Sequence, residues 1–311
     1  MSVQRGIRIT GWGIGLPDKV VTNADLEATL DTSDEWIRER TGIRERRVGG
    51  STCGLAAEAG RNALDSAGLR PDDVDVLILC TTTPDQQVPA TASAVQEALG
   101  LRCGAFDVNA ACSGFVYGLV TAAGMTATGM DNVLLIGSEV LSRITDWDDR
   151  STAVLFGDGA GAVVVQATEG EGTLLGWDLA SDGTARRFLY CDAGGFIHME
   201  GREVFRRAVR VMVDSAEASL KKAGVSADDI ALVVPHQANT RIIDAACQRL
   251  GIPMEKAAIV IDWTGNNSSA SIPIALVDAV QKGRVSRGDL VLLVGFGAGM
   301  TSASAVVRWE S

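Results

Sequence analysis

The chain has 311 residues, 46 % of them hydrophobic and 22 % charged, with a formal net charge of −11. That is enough apolar material for a large core or two closely packed halves, and the acidic balance argues against nucleic acid as a bulk partner. Six cysteines fall singly, with no CxxC and only two histidines beside them, so neither a zinc site nor a disulfide framework is expected and a reducing cytoplasm fits best.

The first residues, 1–8, mix charge with apolar side chains and lack the apolar core of a signal peptide. No run approaches the roughly 18 apolar residues of a membrane span. Trp36 and Arg40 are four apart and share a face if that stretch is helical. Residues 54–67 read as a helix, and the apolar run 74–79, interrupted only by Asp75, reads as a strand buried on both faces. Residues 105–109 read as a short strand that passes through Ala110, Ala111, Cys112, Ser113 and Gly114 into a helix. A helix start carries partial positive charge and free N–H groups, which would favour a thiolate at Cys112 and lower its pKa from about 8.5. A buried inert cysteine fits the same residues, and locally both readings stand. Cys53, Cys80, Cys103, Cys191 and Cys247 read as packing residues, and His198 as a loop residue at a rim. Residues 203–223 form a second long helix with Arg206, Arg207 and Arg210 on its polar side; Arg241 and Arg249 lie on the helix after His236. An acidic protein that meets an acidic partner needs such a basic island.

The chain repeats itself. Residues 67–80 have a near twin at 223–236, an offset of 156, and 132–137 match 290–295 at an offset of 158. This period indicates a duplicated domain, here an α/β architecture of helices covering central sheets, with halves 1–170 and 171–311. The repeat predicts a strand at 258–262 to match 105–109, a helix opening at Asn266 as another opens at Cys112, and His236 at the end of the strand that matches the one ending near Cys80. A pseudo-twofold axis would then gather Cys112, His236 and Asn266. The glycine segments at 157–161 and 295–299 match no phosphate-binding pattern, and no GxSxG elbow is present.

Several motifs stand in order along the chain: DTSDEWI at 31–37, TGIRER at 41–46, DVNAACSGF at 107–115, FGDGAGA at 156–162, PHQAN at 235–239, GN at 265–266 followed by Ser268 and Ser271, and FGAG at 296–299. With these the chain resembles the beta-ketoacyl-acyl carrier protein synthase III family of thiolase-fold condensing enzymes. The resemblance implies a thiolase-like five-layered αβαβα fold and a Cys-His-Asn triad. Cys112 would attack an acyl-CoA thioester to form an acyl-enzyme, with the backbone N–H groups of Cys112 and Ala298 holding the oxyanion. His236 and Asn266 would donate to the malonyl thioester oxygen as CO₂ leaves. By the same resemblance Trp36 stacks on adenine, Arg40 and Arg150 meet the CoA phosphates and base, Phe156 contacts substrate, and Phe205 and Asn239 line the pantetheine tunnel. The arginines at 206, 207, 210, 241 and 249 would dock the carrier protein.

Val88 stands where the family often has an aromatic residue contributed across a dimer interface, which implies a roomier acyl pocket. The 189–201 loop is short, Asn267 replaces a usual threonine, and Trp263 precedes the Asn266 turn. A Cys-His-His relative is disfavoured because no family motif surrounds His198, and a thiolase because no cysteine follows Cys247. The expectation is a cytoplasmic homodimer that needs no cofactor beyond its coenzyme A thioester substrate and no metal. Its partners would be acyl-CoA and malonyl-acyl carrier protein, with no nucleic acid and no membrane. It would start fatty-acid synthesis. The alternatives are a priming ketosynthase of secondary metabolism, an acyltransferase to an alcohol or amine, and a non-catalytic scaffold that docks carrier protein.

Overall fold

Apolar runs form the central strands of the two sheets that organise this protein, and a more alternating strand closes an edge. The computed structural model describes residues 5–311; residues 1–4, part of the N-terminal stretch read above, lie outside the described residues. The strands in chain order are β1 (Arg5–Gly15), β2 (Val20–Thr22), β3 (Glu45–Arg47), β4 (Val76–Cys80), β5 (Gly104–Val108), β6 (Asn132–Val140), β7 (Asp158–Glu169), β8 (Leu174–Ser181), β9 (Leu189–Cys191), β10 (Ile197–Met199), β11 (Ile230–Pro235), β12 (Leu290–Gly297) and β13 (Thr301–Arg308). One sheet has the order β1-β7-β6-β4-β5 and the other β11-β12-β13-β8, with β2–β3 and β9–β10 as separate pairs.

The two sheets repeat one plan. In the first, β4 and β6 are parallel while β7 and β1 follow antiparallel. In the second, β11 and β12 are parallel while β13 and β8 follow antiparallel. Between the sheets lie the helices Gly114–Ala127 and Ser271–Gln281. Val76 and Ile78 of β4 point inward with Val133 and Leu135 of β6 and Leu232 and Val234 of β11, packing on Phe115, Leu119, Ile272 and Ala275 of these helices. Leu77, Leu79 and Leu134 point the other way, onto the helix Thr52–Ala67. Val233 and Leu292 do the same against the helix Gly201–Ala223. The central strands β4, β6, β11 and β12 are buried almost along their whole length, with apolar cover on both faces. The result is five layers, helix-sheet-helix-sheet-helix. No helix among the described residues is long and apolar enough to cross a membrane.

The duplication is incomplete at one strand. β5 pairs along its length with β4, but its expected twin at 258–262 is not a strand: only the bridge Val233–Ala257 forms, and Ile261–Thr264 is a short helix. The reason is Gln237, fully buried. Its carboxamide nitrogen donates to the Pro235 and Ala258 carbonyls (2.7 and 3.0 Å), and its oxygen accepts from the N–H groups of Val260 and Ile261 (2.9 and 3.2 Å). A side chain thus satisfies the backbone groups that a ladder would have satisfied, and the chain is free to turn. Gln237→Ala removes four buried hydrogen bonds and leaves their partners unmatched. It should cost about 3 kcal/mol or more of unfolding free energy in urea titration.

Candidate active site

Cys112 lies on the turn Ala111–Ser113, which runs directly into the helix Gly114–Ala127. The turn opens with Ala111 at φ 48°, a left-handed conformation held by the Asn109 side chain, whose oxygen accepts from the Ala111 N–H at 3.3 Å. The Thr301 hydroxyl donates to the Ala110 carbonyl at 2.9 Å, and so joins the Cys112 turn to the Ala298–Met300 turn that follows β12.

The second half supplies a matching turn at 266–271. Ser268 takes φ 46°, and the Asn266 side-chain oxygen accepts from its N–H at 2.9 Å. The twin of Ala111 is therefore Ser268, at an offset of 157. Asn266 matches Asn109, not Cys112; the residue that matches Cys112 is Ser269. The expectation that Asn266 opens its helix where Cys112 opens its own is off by three residues, because the turn before each helix was not legible as a unit. With its oxygen committed to Ser268, the Asn266 carboxamide nitrogen is free of protein partners among the described residues and remains a donor. The backbone of Asn266 is clamped on both sides, its N–H donating to the Leu155 carbonyl at 2.9 Å and its carbonyl accepting from Gly157 at 3.0 Å.

His236 follows β11 and is 1 % exposed. Phe296 meets its ring edge-on at 5.5 Å between centroids. Its Nδ1 lies 2.7 Å from the Ser271 hydroxyl, which also lies 2.8 Å from the Ser268 carbonyl and accepts from the Gln237 N–H at 3.3 Å. The hydroxyl has one proton and two acceptors. Turned to the carbonyl, it leaves the ring proton on Nδ1; turned to Nδ1, it leaves that proton on Nε2. Burial depresses the His236 pKa to about 3, so the ring is neutral.

The thiol does not behave as the sequence suggested. Burial of the sulfur, reinforced by the negative charge of Glu139, pushes Cys112 up to about 12, against the Ser268 hydroxyl and its own N–H, which pull the other way. Cys112 keeps part of its surface open, toward the cavity it lines, while the sulfur is enclosed. Enclosure costs the charged form more than the helix start returns. The resting pair is thiol and neutral imidazole.

A cavity of about 900 Å³ opens on Cys112 and is lined also by Phe156, Ser268, Ala298 and the β9–β10 hairpin. At the outer face the helix Asp34–Thr41 is capped by Ser33, which accepts from the Trp36 N–H at 3.1 Å. Both Arg40 and Arg150 stack on the Trp36 ring, at 4.8 and 4.9 Å from its centroid. Asn239 does not face a tunnel freely: its nitrogen donates to the Arg40 carbonyl (2.7 Å) and its oxygen caps the next helix at Arg241 (2.8 Å). Half-buried Phe205 lies under Arg241 at 5.7 Å. Arg206 and Arg207 share Glu203, and Arg210 pairs with Asp214, so the basic island is partly neutralised; Arg249 is exposed. Val88 is 82 % exposed and does not line the cavity of its own chain, although residues 84–87 do. His198 sits exposed on the hairpin against Tyr190. Cys191 is not a packing residue: it is exposed and lines the same cavity as Cys112.

The 3-oxoacyl-[acyl-carrier-protein] synthase III family model matches residues 106–183, and its C-terminal companion matches 220–309. Beta-ketoacyl-[acyl-carrier-protein] synthase III of Roseiflexus sp. (strain RS-1) is 49 % identical, covering 97 % of this chain and 98 % of its own. The chain belongs to this family. A synthase III of Bacillus anthracis is likewise 49 % identical over 97 % of this chain and 99 % of that one. Among solved structures, the 3-oxoacyl-[acyl-carrier-protein] synthase III of Aquifex aeolicus VF5 superposes with a TM-score of 0.96 at 47 % identity, covering 98 % and 100 % of the two chains. The priming beta-ketosynthase of the R1128 polyketide biosynthetic pathway superposes at 0.95 with 34 % identity, covering 100 % and 98 %. The fold is thus the thiolase-like fold of the synthase III enzymes.

Sequence reasoning placed Ser268 and Ser271 only as landmarks of this family, and passed over Glu139. Reading NNSSAS at 266–271 against NAACSG at 109–114 would have shown the paired turns. Because the thiol is raised, iodoacetamide alkylation of Cys112, followed by peptide mass spectrometry, should accelerate about tenfold per pH unit from about pH 7 to 10 without a plateau. A plateau near neutral pH would show a thiolate instead.

Proposed function

We propose that this protein starts acyl chains by a two-step decarboxylating condensation that passes through Cys112. The observation that carries the reading is the 266–271 turn. It offers the Asn266 carboxamide, carries Ser268 on the cavity wall that Cys112 shares, and holds His236 through Ser271. In the first step the Cys112 sulfur bonds the acyl carbon of acyl-CoA, the carbon–sulfur bond to CoA breaks, and the thiol proton ends on the CoA sulfur. Backbone N–H groups of Cys112 and Ala298, on two turns joined by Thr301, hold the tetrahedral oxyanion. One such donor is worth about 2.7–4 kcal/mol.

In the second step malonyl-acyl carrier protein loses CO₂, and the electron pair of that bond moves toward the thioester oxygen. Asn266 donates to this oxygen, and His236 donates from Nε2 when the Ser271 hydroxyl faces Nδ1. The carbanion bonds the acyl carbon, the sulfur–carbon bond to Cys112 breaks, and the thiolate recovers a proton. The product is a 3-oxoacyl-acyl carrier protein, the entry point of fatty-acid synthesis. A neutral, buried histidine suits a step in which negative charge both leaves and arrives, since no fixed cation holds the substrate carboxylate in place.

Trp36 between Arg40 and Arg150 supports a CoA site: a flat adenine can take the place of one guanidinium on the ring, and both arginines stay within reach of phosphate. Phe156 would contact the acyl chain in the cavity, and Phe205 under Arg241 the approach to it. Arg241 and Arg249, with Arg206, Arg207 and Arg210 behind their acidic partners, form the island for an acidic carrier protein. The exposed Val88, next to cavity-lining residues 84–87, supports a homodimer in which that loop meets the partner. No step needs a metal or a bound cofactor, and the setting is cytoplasmic. The likeness to a polyketide priming ketosynthase keeps a second pathway in view; acyl transfer without CO₂ release would point to another acceptor.

Intact-mass spectrometry with a panel of acyl-CoAs should show one acyl group on the protein and none on Cys112→Ser. Asn266→Ala and His236→Ala should lower CO₂ release about 100-fold or more while acylation falls much less. Ser271→Ala should lower CO₂ release about tenfold through the lost support of His236. Equal loss of both half-reactions in Asn266→Ala would overturn the division of roles.

A further inference from the structure

The duplication leaves a second copy of the catalytic frame on the other side of the pseudo-twofold axis, and one carboxylate fills it. Cys80 ends β4 as His236 follows β11, at the same offset of 156. Ser269 stands for Cys112, and Asn109 for Asn266. Two glycines show how closely the copies agree. Gly295 of β12 faces the Cys112 carbonyl, and Gly137 of β6 faces the Ser269 carbonyl; a Cβ at Gly137 would overlap it. Two residues further along each strand the copies differ. Gly297 lies against the Cys112 N–H, whereas its counterpart in β6 is Glu139.

Glu139 is fully buried. One oxygen accepts from the hydroxyls of Thr81, Thr82 and Thr83 (3.2, 3.0 and 2.7 Å) and from the N–H groups of Thr82 and Thr83 (3.0 and 3.1 Å). The other accepts from the Ser269 hydroxyl (2.8 Å) and the Ser269 N–H (3.4 Å). That N–H is the counterpart of the Cys112 N–H read above as an oxyanion donor. The duplicate site therefore holds a fixed carboxylate ringed by donors where the working site would hold a transient oxyanion.

We propose that Glu139 is a positioning residue of the condensation: from the filled duplicate site it bolts Ser269, and with it the 266–271 turn, into register with Cys112. The chain of contact is short. Ser269 sits between Ser268, which lines the cavity with Cys112, and Ser271, which holds His236. Its Cβ also packs against Gly114, where the Cys112 helix begins. Thr82 and Thr83, gathered by the same carboxylate, line the cavity beside Cys112. The carboxylate does this at an electrostatic cost, since its charge opposes a thiolate at Cys112. Among the described residues, Glu139 acts on the Cys112 charge through space, and His236 flanks Gly295 together with the Cys112 carbonyl. Across the cavity stand the Arg143–Asp85 pair, Arg186, and hairpin residues Tyr190, Cys191 and Asp192.

This role rests on Cys112 as the nucleophile, and the test separates the two. Alkylation of Cys112 by iodoacetamide needs no acyl-CoA and reads the coupling to Glu139 whatever the substrate. Glu139→Gln should alkylate about three- to tenfold faster at about pH 8, because a nearby negative charge is gone, while CO₂ release from malonyl-acyl carrier protein falls about tenfold or more. Glu139→Asp, which keeps the charge, should retain the wild-type alkylation profile and recover most of the release. Loss of release with an unchanged alkylation profile would reduce Glu139 to a folding element and overturn the proposal, as would unchanged release in a folded Glu139→Gln. Should Glu139→Gln fail to fold, Ser269→Ala decides. It removes one contact to the carboxylate and should slow CO₂ release with little change in melting temperature; unchanged release overturns the proposal. Wild-type protein that takes up no acyl group from any acyl-CoA would instead overturn the functional reading and leave the alkylation result standing.

Discussion

A single six-residue turn, 266–271, constrains everything else at this site. Ser268 occupies a left-handed conformation that costs a non-glycine residue of order 1 kcal/mol. Its N–H donates to the Asn266 side chain and its carbonyl accepts from the Ser271 hydroxyl, while the next residue, Ser269, donates to the Glu139 carboxylate. This one turn thereby carries the Asn266 carboxamide, the cavity-lining Ser268 and the Ser271 hydroxyl that meets His236. The two sheets and the two central helices between them form the frame around it.

The electrostatics of the site follow from enclosure. In a chain of net charge −11, Cys112 and His236 are both neutral at rest: the thiol is raised and the imidazole lowered by burial. A neutral site admits an acyl thioester without first having to displace an ion pair. It also makes every donor count, because in a low dielectric a hydrogen bond to a developing oxyanion is worth far more than in water. Arg40 and Arg150 stack on Trp36 and Arg241 on Phe205, none of them lining the Cys112 cavity, whose own arginines are Arg143, paired with Asp85, and Arg186.

Duplication explains both the symmetry and its two breaks. Gln237 replaces a strand ladder with one carboxamide and lets the chain turn toward Asn266. Glu139 replaces a glycine and closes the copy that does no chemistry. Each break is a buried polar side chain with all its partners present. That is the condition under which burying a polar group specifies structure instead of destabilising it.

The sequence by itself determined the period, the two-faced strands and the residue types of the site. Apolar runs such as 74–79 can be satisfied only by cover on both sides, and the offsets of 156 and 158 are readable without coordinates. It also carried enough motif to indicate the family, through the cysteine, the PHQAN segment and the glycine-asparagine pair. It did not carry the strand status of 258–262, because a side chain twenty residues earlier decides that. Nor did it carry the protonation of Cys112: proximity to a helix start is local, whereas the burial that overrides it is assembled from both halves. The pairing of Ser269 with Cys112, and the place of Glu139 behind it, exist only once two sheets pack on shared helices. Contact across a pseudo-twofold axis leaves no periodic trace in either half alone.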